Sequence, residues 1–546
     1  MKKMKTTVHS LLLAFLLLGG AASAQERVYL VPDRPAYLAG ERVYCSLFAI
    51  DGKGRKSNYS AVAYVELISA QGTAAEAKTG LFMGRGSGSF LLPDNLPTGN
   101  YTLAAYTAGG VPAPDGLRRI AVFNPVSTAR VPDGVTIDKA WAPALSEDIK
   151  SQSLLISLSG APSPGKNVTL SLFSQEEADL TVSVYHDDGL VPPDDASLAR
   201  FLQGRAAPAG HPTEYEGEII YASVEGLEEG AAAEEGTVTA YLSAAGAPSQ
   251  VYIGRNNADG QIQFYTGNIY GDRELVCEVV ALSGKGAHIN LKSPFTHPAV
   301  GEIPPLILSP AQRDALILRK AALRAEADAP LDTLLEFLPK REDLLLEGAQ
   351  LVRYHLDDYT RFSSVREICV ELIPTLQFTR NKGKYRIRMV GTDPTESRKY
   401  VMDNILVMMD GVVITDHDML ADFDAMLLED VDLYPQSVAL GGVTFNGVVN
   451  FVTKKNYVTA LAFPDNVRVV DFHGVSYPVA YTGIVPQAET DLRQLLYFHP
   501  ALTIKRQSAE RLTLSLPSYA GVFRVKAEGW TASGAPVHAE YTFEVR

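Results

Sequence analysis

Short runs of alternating apolar and polar residues recur along most of this chain, the two-residue period of strands with one face buried. Over residues 25–130 these runs are separated by clusters of Gly, Pro, Asn and Asp, which predicts an antiparallel β-sandwich. Pro35 and Gly40 shape a turn after its first strand, and Gly99 leads into a strand with Tyr101 and Leu103 on one face. Over 140–300 the runs LLISLSG, NVTLSLFS, LTVSVYH, GTVTAYLSA, SQVYIG, GQIQFYTG and ELVCEVVAL predict one or two further sandwich modules. Within them, 187–236 is rich in Pro, Gly, Ala, Asp and Glu and reads as a long exposed loop. Residues 460–546 are β-rich again, with a strand from Gly521 expected to end at a turn at Gly529, and predict a C-terminal sandwich-like domain.

The period changes to that of a helix at a few places. Ser309-Pro310-Ala311-Gln312 has a serine N-cap, a proline at the first helical position and a glutamine able to close a capping box. It predicts a helix to about Asp328 with Ala315, Leu318, Ala322 and Ala325 on one stripe and Leu316 and Leu323 beside it. A second apolar patch, Leu331 to Leu338, precedes Pro339, so 305–345 reads as a helical connector. Ser364-Val365-Arg366-Glu367 is another capping box, opening a short helix with Ile368 and Leu372 on one face that Pro374 ends.

From Ile405 to Lys455 the signals are densest. The apolar run ILVMM is closed by Asp410-Gly411, which favours a tight hairpin turn, and VVIT follows. Leu420, Phe423 and Leu427 form a helical patch, a strand is expected around Val431 to Tyr434, and Gly441-Gly442 and Asn446-Gly447 bracket a last hairpin into Val448-Val449-Asn450-Phe451-Val452.

Two stretches carry family resemblances. The order and spacing of Ile405 to Lys455, preceded by Tyr385-Arg386-Ile387-Arg388-Met389-Val390-Gly391, resemble the plug domain of TonB-dependent outer-membrane transporters, over 346–457. Val28 to Glu41 (VYLVPDRPAYLAGE), with Phe90-Leu91-Leu92-Pro93 and Pro97-Thr98-Gly99-Asn100-Tyr101-Thr102-Leu103, resemble the MG2 domain of the α2-macroglobulin superfamily. The thioester of that superfamily needs a Cys-Gly-Glu-Gln motif, which none of the three cysteines supplies. The combination is similar to Bacteroidota-type envelope proteins that join an MG2 domain to a plug-like domain without a barrel. The expected fold class is therefore multidomain and mainly β: immunoglobulin-like or macroglobulin-like β-sandwiches plus an α+β plug-like domain.

Charge and targeting signals set the compartment. Lys2, Lys3 and Lys5, the apolar run Leu11 to Leu18 and Ala22-Ser23-Ala24 read as a secretory signal peptide over 1–24, with no cysteine placed for a lipid anchor. Three lysines and no acid leave with it, taking the formal net charge from −14 to −17, unfavourable for nucleic-acid binding. No later run reaches the roughly eighteen apolar residues of a spanning helix. About ninety residues follow the plug-like stretch, too few for a barrel of about 22 strands, and no free segment for a TonB box is expected before the first strand.

Catalytic and metal motifs are sparse. Cys45, Cys277 and Cys369 read mainly as buried small hydrophobes, with one disulfide left open and its pairing unassigned. Asp416, Asp418, Asp422 and Asp424 around His417 lack the glycine of a calcium loop and read as caps and a solvated helix face. Gly84-Arg85-Gly86-Ser87-Gly88 lacks the Lys-Ser/Thr of a phosphate loop and reads as a hairpin turn. The paired carboxylates Glu218/Glu225 and Asp187/Asp188 lie in loop-like sequence, and Arg34 and Glu41 read as a structural pair. No catalytic, cofactor-binding or metal-binding residues are assigned, and no cofactor is expected.

The expectation is a non-enzymatic, exported protein of the periplasm or outer membrane. It would be a scaffold or interaction component whose partner is an outer-membrane β-barrel or surface complex of TonB-dependent nutrient import. The alternative is an adhesion factor or an accessory of outer-membrane assembly or secretion.

Overall fold

The computed structural model describes residues 26–126, 131–142, 145, 147–191, 198–204, 212–226, 235–246, 249–280, 287–327, 349–392, 399–455, 458, 461–481, 483 and 490–546. The expected export segment and the apolar patch 331–338 lie outside these residues. The chain divides into two compact units, one from 1–217, 295–338 and 475–546, the other from 218–294 and 339–474.

In the first unit, the N-terminal sandwich is built from β1 (Glu26–Pro32), β2 (Ala36–Leu38), β3 (Arg42–Asp51), β4 (Val62–Ser69), β5 (Gly72–Phe82), β6 (Arg85–Leu91), β7 (Gly99–Tyr106) and β8 (Arg118–Phe123). Their order is β1-β3-β6-β5-β4-β7-β8-β2. Only β2 and β8 pair in parallel among these. β5 makes the corner: most of it pairs with β4, while Leu81 and Phe82 pair with Gly86 and Arg85 of β6. Alternate residues of each strand meet in one core, among them Val28, Leu30, Val43, Leu47, Val65, Leu67, Leu103 and Val122. Each such side chain, fully buried, contributes about 1.5–3 kcal/mol. The opposite face of β1 and β3 is buried too. Tyr29, Val31, Phe48 and Ile50 pack with Leu198, Phe201 and Trp530. Leu198 and Phe201 belong to a short helix, Leu198–Phe201, inside the stretch whose composition reads as loop, because two apolar anchors suffice to order one turn of chain against a sheet.

The second sandwich is assembled from two distant parts of the chain. Strand Asn167–Ser174 pairs on one side with Leu154–Ser159 and on the other with Ser508–Ser515. Strand Ala178–His186 lies between Leu495–Ile504 and Gly521–Thr531, and Pro536–Val545 closes that sheet. The tail strands thus share one core with residues 154–186: Leu170, Leu172, Leu180 and Val184 pack with Ile504, Leu514, Val525 and Val537. Pro500 sits where the register of Leu495–Ile504 against Ala178–His186 slips between Leu180 and Val182, the kind of bulge that tolerates a residue with no N–H to donate. Strand Gly521–Thr531 runs straight through Gly529 rather than ending there.

Helix Arg313–Ala327 follows a single 3-10 turn at Pro310–Gln312, and Gln312 Oε1 accepts from the Ser309 N–H at 2.7 Å, the reach-back half of a capping box. Its inner face carries Ala315, Leu316, Ala322 and Leu323, together with Arg319, which is buried. Asp188 neutralises Arg319 through bonds of 2.6 and 3.2 Å.

In the second unit, a seven-stranded antiparallel sheet has the order 288–291, 219–225, 262–265, 250–256, 239–244, 272–280, 467–473. The α+β part holds a five-stranded sheet ordered 352–355, 428–434, 448–453, 406–409, 412–413, in which 406–409 and 448–453 run parallel. A three-stranded meander, 376–381, 384–392 and 399–402, stands beside it. Val365, Ile368 and Ile373 of the helical segment pack with Val407, Met409, Val431 and Phe451 of the sheet. The expected capping box is shifted by one residue: Ser364 accepts from the Glu367 N–H, but Glu367 Oε2 reaches the N–H and hydroxyl of Ser363. The helical patch 420–427 is broken into a turn at Asp418–Ala421 and a 3-10 turn at Ala425–Leu427, because the Asp424 side chain caps a new turn there. No helix among the described residues is long and apolar enough to cross a membrane.

All three cysteines are free and buried, each in a different core, and burial pushes each thiol up to about 12. A native-state thiol titration should therefore register no fast-reacting cysteine, and unfolding in guanidinium should expose three. Rapid reaction of a native thiol would contradict this packing.

Candidate functional site

The polar groups that the sequence nominates are taken up by local structure. At Asp410-Gly411 both residues have positive φ (48° and 77°), the mirror-image turn that matches strand twist. Asp410 also accepts from the N–H and hydroxyl of Thr453, both at 2.7 Å, tying the hairpin to strand 448–453. Asp416 and Asp418 hold Lys384 at 3.1 and 2.9 Å, Asp418 accepts from the Tyr385 N–H, and Asp424 caps the following turn. His417 is buried, which pushes its imidazole down to about 4, with Arg386 acting in the same direction. Its Nδ1 accepts from the Ile387 N–H at 2.9 Å, a bond that requires the neutral ring. Met83 and Gly84 form the β5–β6 hairpin tip with φ of 51° and 72°. A Cβ on Gly84 would lie 2.3 Å from the Ser57 carbonyl oxygen, so the glycine there serves close packing.

The paired carboxylates are also separated by function. Asp187 binds Arg524 at 2.7 Å, whereas Asp188 binds Arg319. Burial alone would raise the Asp188 carboxyl, but the Arg319 guanidinium outweighs it and holds it below the usual range. Glu218 precedes strand Ile219–Glu225 and Glu225 ends it, a strand where the sequence reads as loop, so the two are about 23 Å apart at the rise of an extended chain, beyond the spacing of a glycosidase pair. Arg34 pairs with Glu41 at 3.0 Å, and Glu41 also accepts from the Leu38 N–H at 2.8 Å, closing the turn between β1 and β3.

One cluster of donors has no signature in the sequence. Glu66 on β4 and Glu76 on β5 stand directly opposite each other in the antiparallel ladder, where like charges ordinarily destabilise. Glu66 is fully buried, on the outer face of the sheet between the core-facing Val65 and Leu67. Segment 295–305 crosses this face. Phe295 stands edge-on to Tyr64 at 5.6 Å, the Thr296 N–H donates to the Tyr106 hydroxyl at 2.8 Å, and Pro304 accepts from Asn100 at 3.0 Å. Between these anchors His297 adopts φ 47°, unusual for a residue with a side chain, and its ring turns to the two carboxylates.

The hydrogen bonds there are unevenly shared. Glu66 Oε1 accepts from the Tyr106 hydroxyl and from the His297 N–H at 3.1 Å. Glu66 Oε2 accepts from the Thr73 hydroxyl at 2.9 Å and lies 3.0 Å from His297 Nδ1. The same Nδ1 lies 3.0 Å from Thr73 Oγ1 and 3.6 Å from Glu76 Oε1. Burial raises the Glu76 carboxyl above its usual range, His297 and Lys78 oppose this, and the Glu66 charge adds to it. His297 and Glu66 are 231 residues apart, so no spacing rule could have joined them.

No protein-family model matches the sequence, and no curated protein matches it. Loose likenesses to solved structures exist. The native form of Escherichia coli α2-macroglobulin superposes at 9% identity and a TM-score of 0.25, covering 96% of this chain and 40% of that one. Salmonella α2-macroglobulin reacted with methylamine gives 9% identity and 0.25, covering 95% and 39%. Dimeric latent PorU from Porphyromonas gingivalis gives 12% identity and 0.17, covering 50% and 33%. This chain thus spans about 40% of the length of the macroglobulins it matches. TM-scores this low leave fold and activity to be argued from the chain itself.

Proposed function

We propose that this protein is a non-enzymatic scaffold of the bacterial cell envelope whose α+β domain is a plug-like docking module for an outer-membrane β-barrel of TonB-dependent nutrient import. The observation that supports this reading is the order of elements from Ile405 to Lys455. A tight Asp410-Gly411 hairpin, short helical turns, strand 428–434, a glycine hairpin and a final strand 448–453 parallel to 406–409 follow one another as in the plug resemblance. The sandwiches fit a carrying role. Charged pairs such as Arg34–Glu41 and Arg524–Asp187 brace their turns and strands.

The experiment is capture from envelope fractions in mild detergent, with a photo-crosslinking residue placed at Met426, an exposed position of the α+β domain. An outer-membrane β-barrel should be recovered and crosslinked. Recovery of no barrel would overturn the reading. Depletion that spares nutrient uptake while many barrels mis-assemble would replace it with an assembly role.

A further inference from the structure

We propose that Glu66, Glu76 and His297 form a binding site for a divalent transition-metal ion of the zinc class, with Thr73 at its rim. The proposal is independent of the docking role above. The ligand atoms of the three residues lie within 4.8 Å of one another. A tetrahedral zinc ion with bonds of about 2.0–2.1 Å spaces its ligand atoms about 3.4 Å apart. The distances from His297 Nδ1 to Glu66 Oε2 (3.0 Å) and to Glu76 Oε1 (3.6 Å) bracket that edge. Both edges that run from the imidazole thus lie within half an ångström of that spacing, and the two carboxylates stand within 4.8 Å of each other.

Three further observations point the same way. First, His297 Nδ1 carries at most one proton, yet it faces Glu66, Glu76 and the Thr73 oxygen at once. A proton can serve one of these acceptors well. A cation in its place is held by both carboxylates and the imidazole together. Second, the register sets two carboxylates opposite each other, with Glu66 out of contact with water, and a divalent charge removes that repulsion. Third, the backbone of His297 is held in the left-handed region, a conformation that turns the ring to the two carboxylates and is sustained by the bonds from the Thr296 and His297 N–H groups.

The supporting contacts have the form expected around a ligating carboxylate. The Tyr106 hydroxyl and the His297 N–H occupy Glu66 Oε1, while Oε2, which accepts from the Thr73 hydroxyl, keeps a second lone pair on the side of His297 Nδ1. An imidazole nitrogen with two carboxylate oxygens suits zinc and its neighbours, whereas calcium requires six to eight oxygens. His297 and Glu76 are half exposed, at 56% and 35%, so an ion can enter and water can complete the coordination. Bound there, the metal fastens segment 295–305 to the β4–β5 ladder.

The test uses the full chain without an affinity tag, stripped with chelator and titrated calorimetrically with Zn²⁺ and spectroscopically with Co²⁺. One equivalent of each should bind, and Co²⁺ should show the intense visible bands of a tetrahedral site. His297→Ala and Glu76→Gln should each weaken binding by about 100-fold or more, since losing a direct ligand costs at least as much as losing its support. Both positions are solvent-facing, and unchanged circular dichroism verifies that the variants fold. His473→Ala, at an exposed histidine elsewhere, should bind as the parent does. Absence of a saturable equivalent, or binding that survives both ligand substitutions, would overturn the proposal.

Discussion

Glu528→Gln should lower the stability of the first unit by about 3 kcal/mol at neutral pH, the low end of what removing one member of a buried ion pair costs. Glu528 is fully buried on strand Gly521–Thr531. It accepts from the Tyr29 hydroxyl at 3.0 Å and has Arg118 at 3.7 Å, Lys526 at 3.5 Å and His538 at 3.8 Å. Arg118 is itself buried, donates to the Leu30 carbonyl at 2.7 Å and stacks on the Tyr29 ring at 4.3 Å. The amide keeps the shape and the Tyr29 contact but leaves this concentration of positive charge uncompensated.

The same substitution has a defined pH signature. Burial opposes ionisation of Glu528, but Lys526, Arg118 and His538 overcome it and hold the carboxyl at about 2, below its unfolded value. Its contribution is complete above the unfolded pKa and is lost as pH falls toward 2. The stability gap between parent and Glu528→Gln should therefore be present at pH 5 and close progressively below pH 4.5. Urea unfolding followed by Trp530 fluorescence measures it, because Trp530 is buried two residues away beside Phe48 at 4.5 Å. A gap that does not change with pH would refute the electrostatic account.

Gly529→Ala should destabilise the second sandwich by about 3 kcal/mol, the upper end of overpacking penalties. In a strand, replacing glycine with alanine normally helps by restricting the unfolded chain. Here the new Cβ would lie 1.9 Å from the Asp179 carbonyl oxygen, a backbone atom that moves only if the two strands part. Gly99→Ala is the matched comparison: its Cβ meets nothing nearer than 3.9 Å, and the change should be neutral or slightly stabilising. If Gly529→Ala were equally benign, the pairing of 521–531 with 178–186 would be wrong.

That pairing marks the limit of what local pattern reveals. The runs NVTLSLFS and LTVSVYH identify strands because alternation is a property of neighbours in sequence, and both are strands in the structure. Nothing in either run states that its partner lies more than three hundred residues away at 495–531. Each half of the sandwich alone leaves an apolar face uncovered, and only the return of the tail buries it. Pro500 illustrates the same point. It reads locally as a strand breaker, yet the bulge in its partner's register removes the hydrogen bond it could not make.

The turns lie at the other extreme. Asp410-Gly411 was legible as a hairpin tip because positive φ is a demand that a dipeptide either meets or fails by its own chemistry, whereas Gly441-Gly442, expected with Asn446-Gly447 to bracket the last hairpin, is itself the tip between strands 438–440 and 443–445. The capping boxes were legible to within one residue, since Ser363 and Ser364 compete for the same glutamate. The chain's own sequence thus determined many of the strands, the caps to within a residue, the Asp410-Gly411 turn and the mainly β class, but not strand Ile219–Glu225, which lies in a stretch that reads as loop. Tertiary structure alone decided which strands share a core, that Cys45, Cys277 and Cys369 are each free and buried in a separate core, and that His297 faces Glu66 and Glu76. The physical reason is that periodicity and turn chemistry act over a few residues, whereas partner choice is set by how separate apolar faces are covered together.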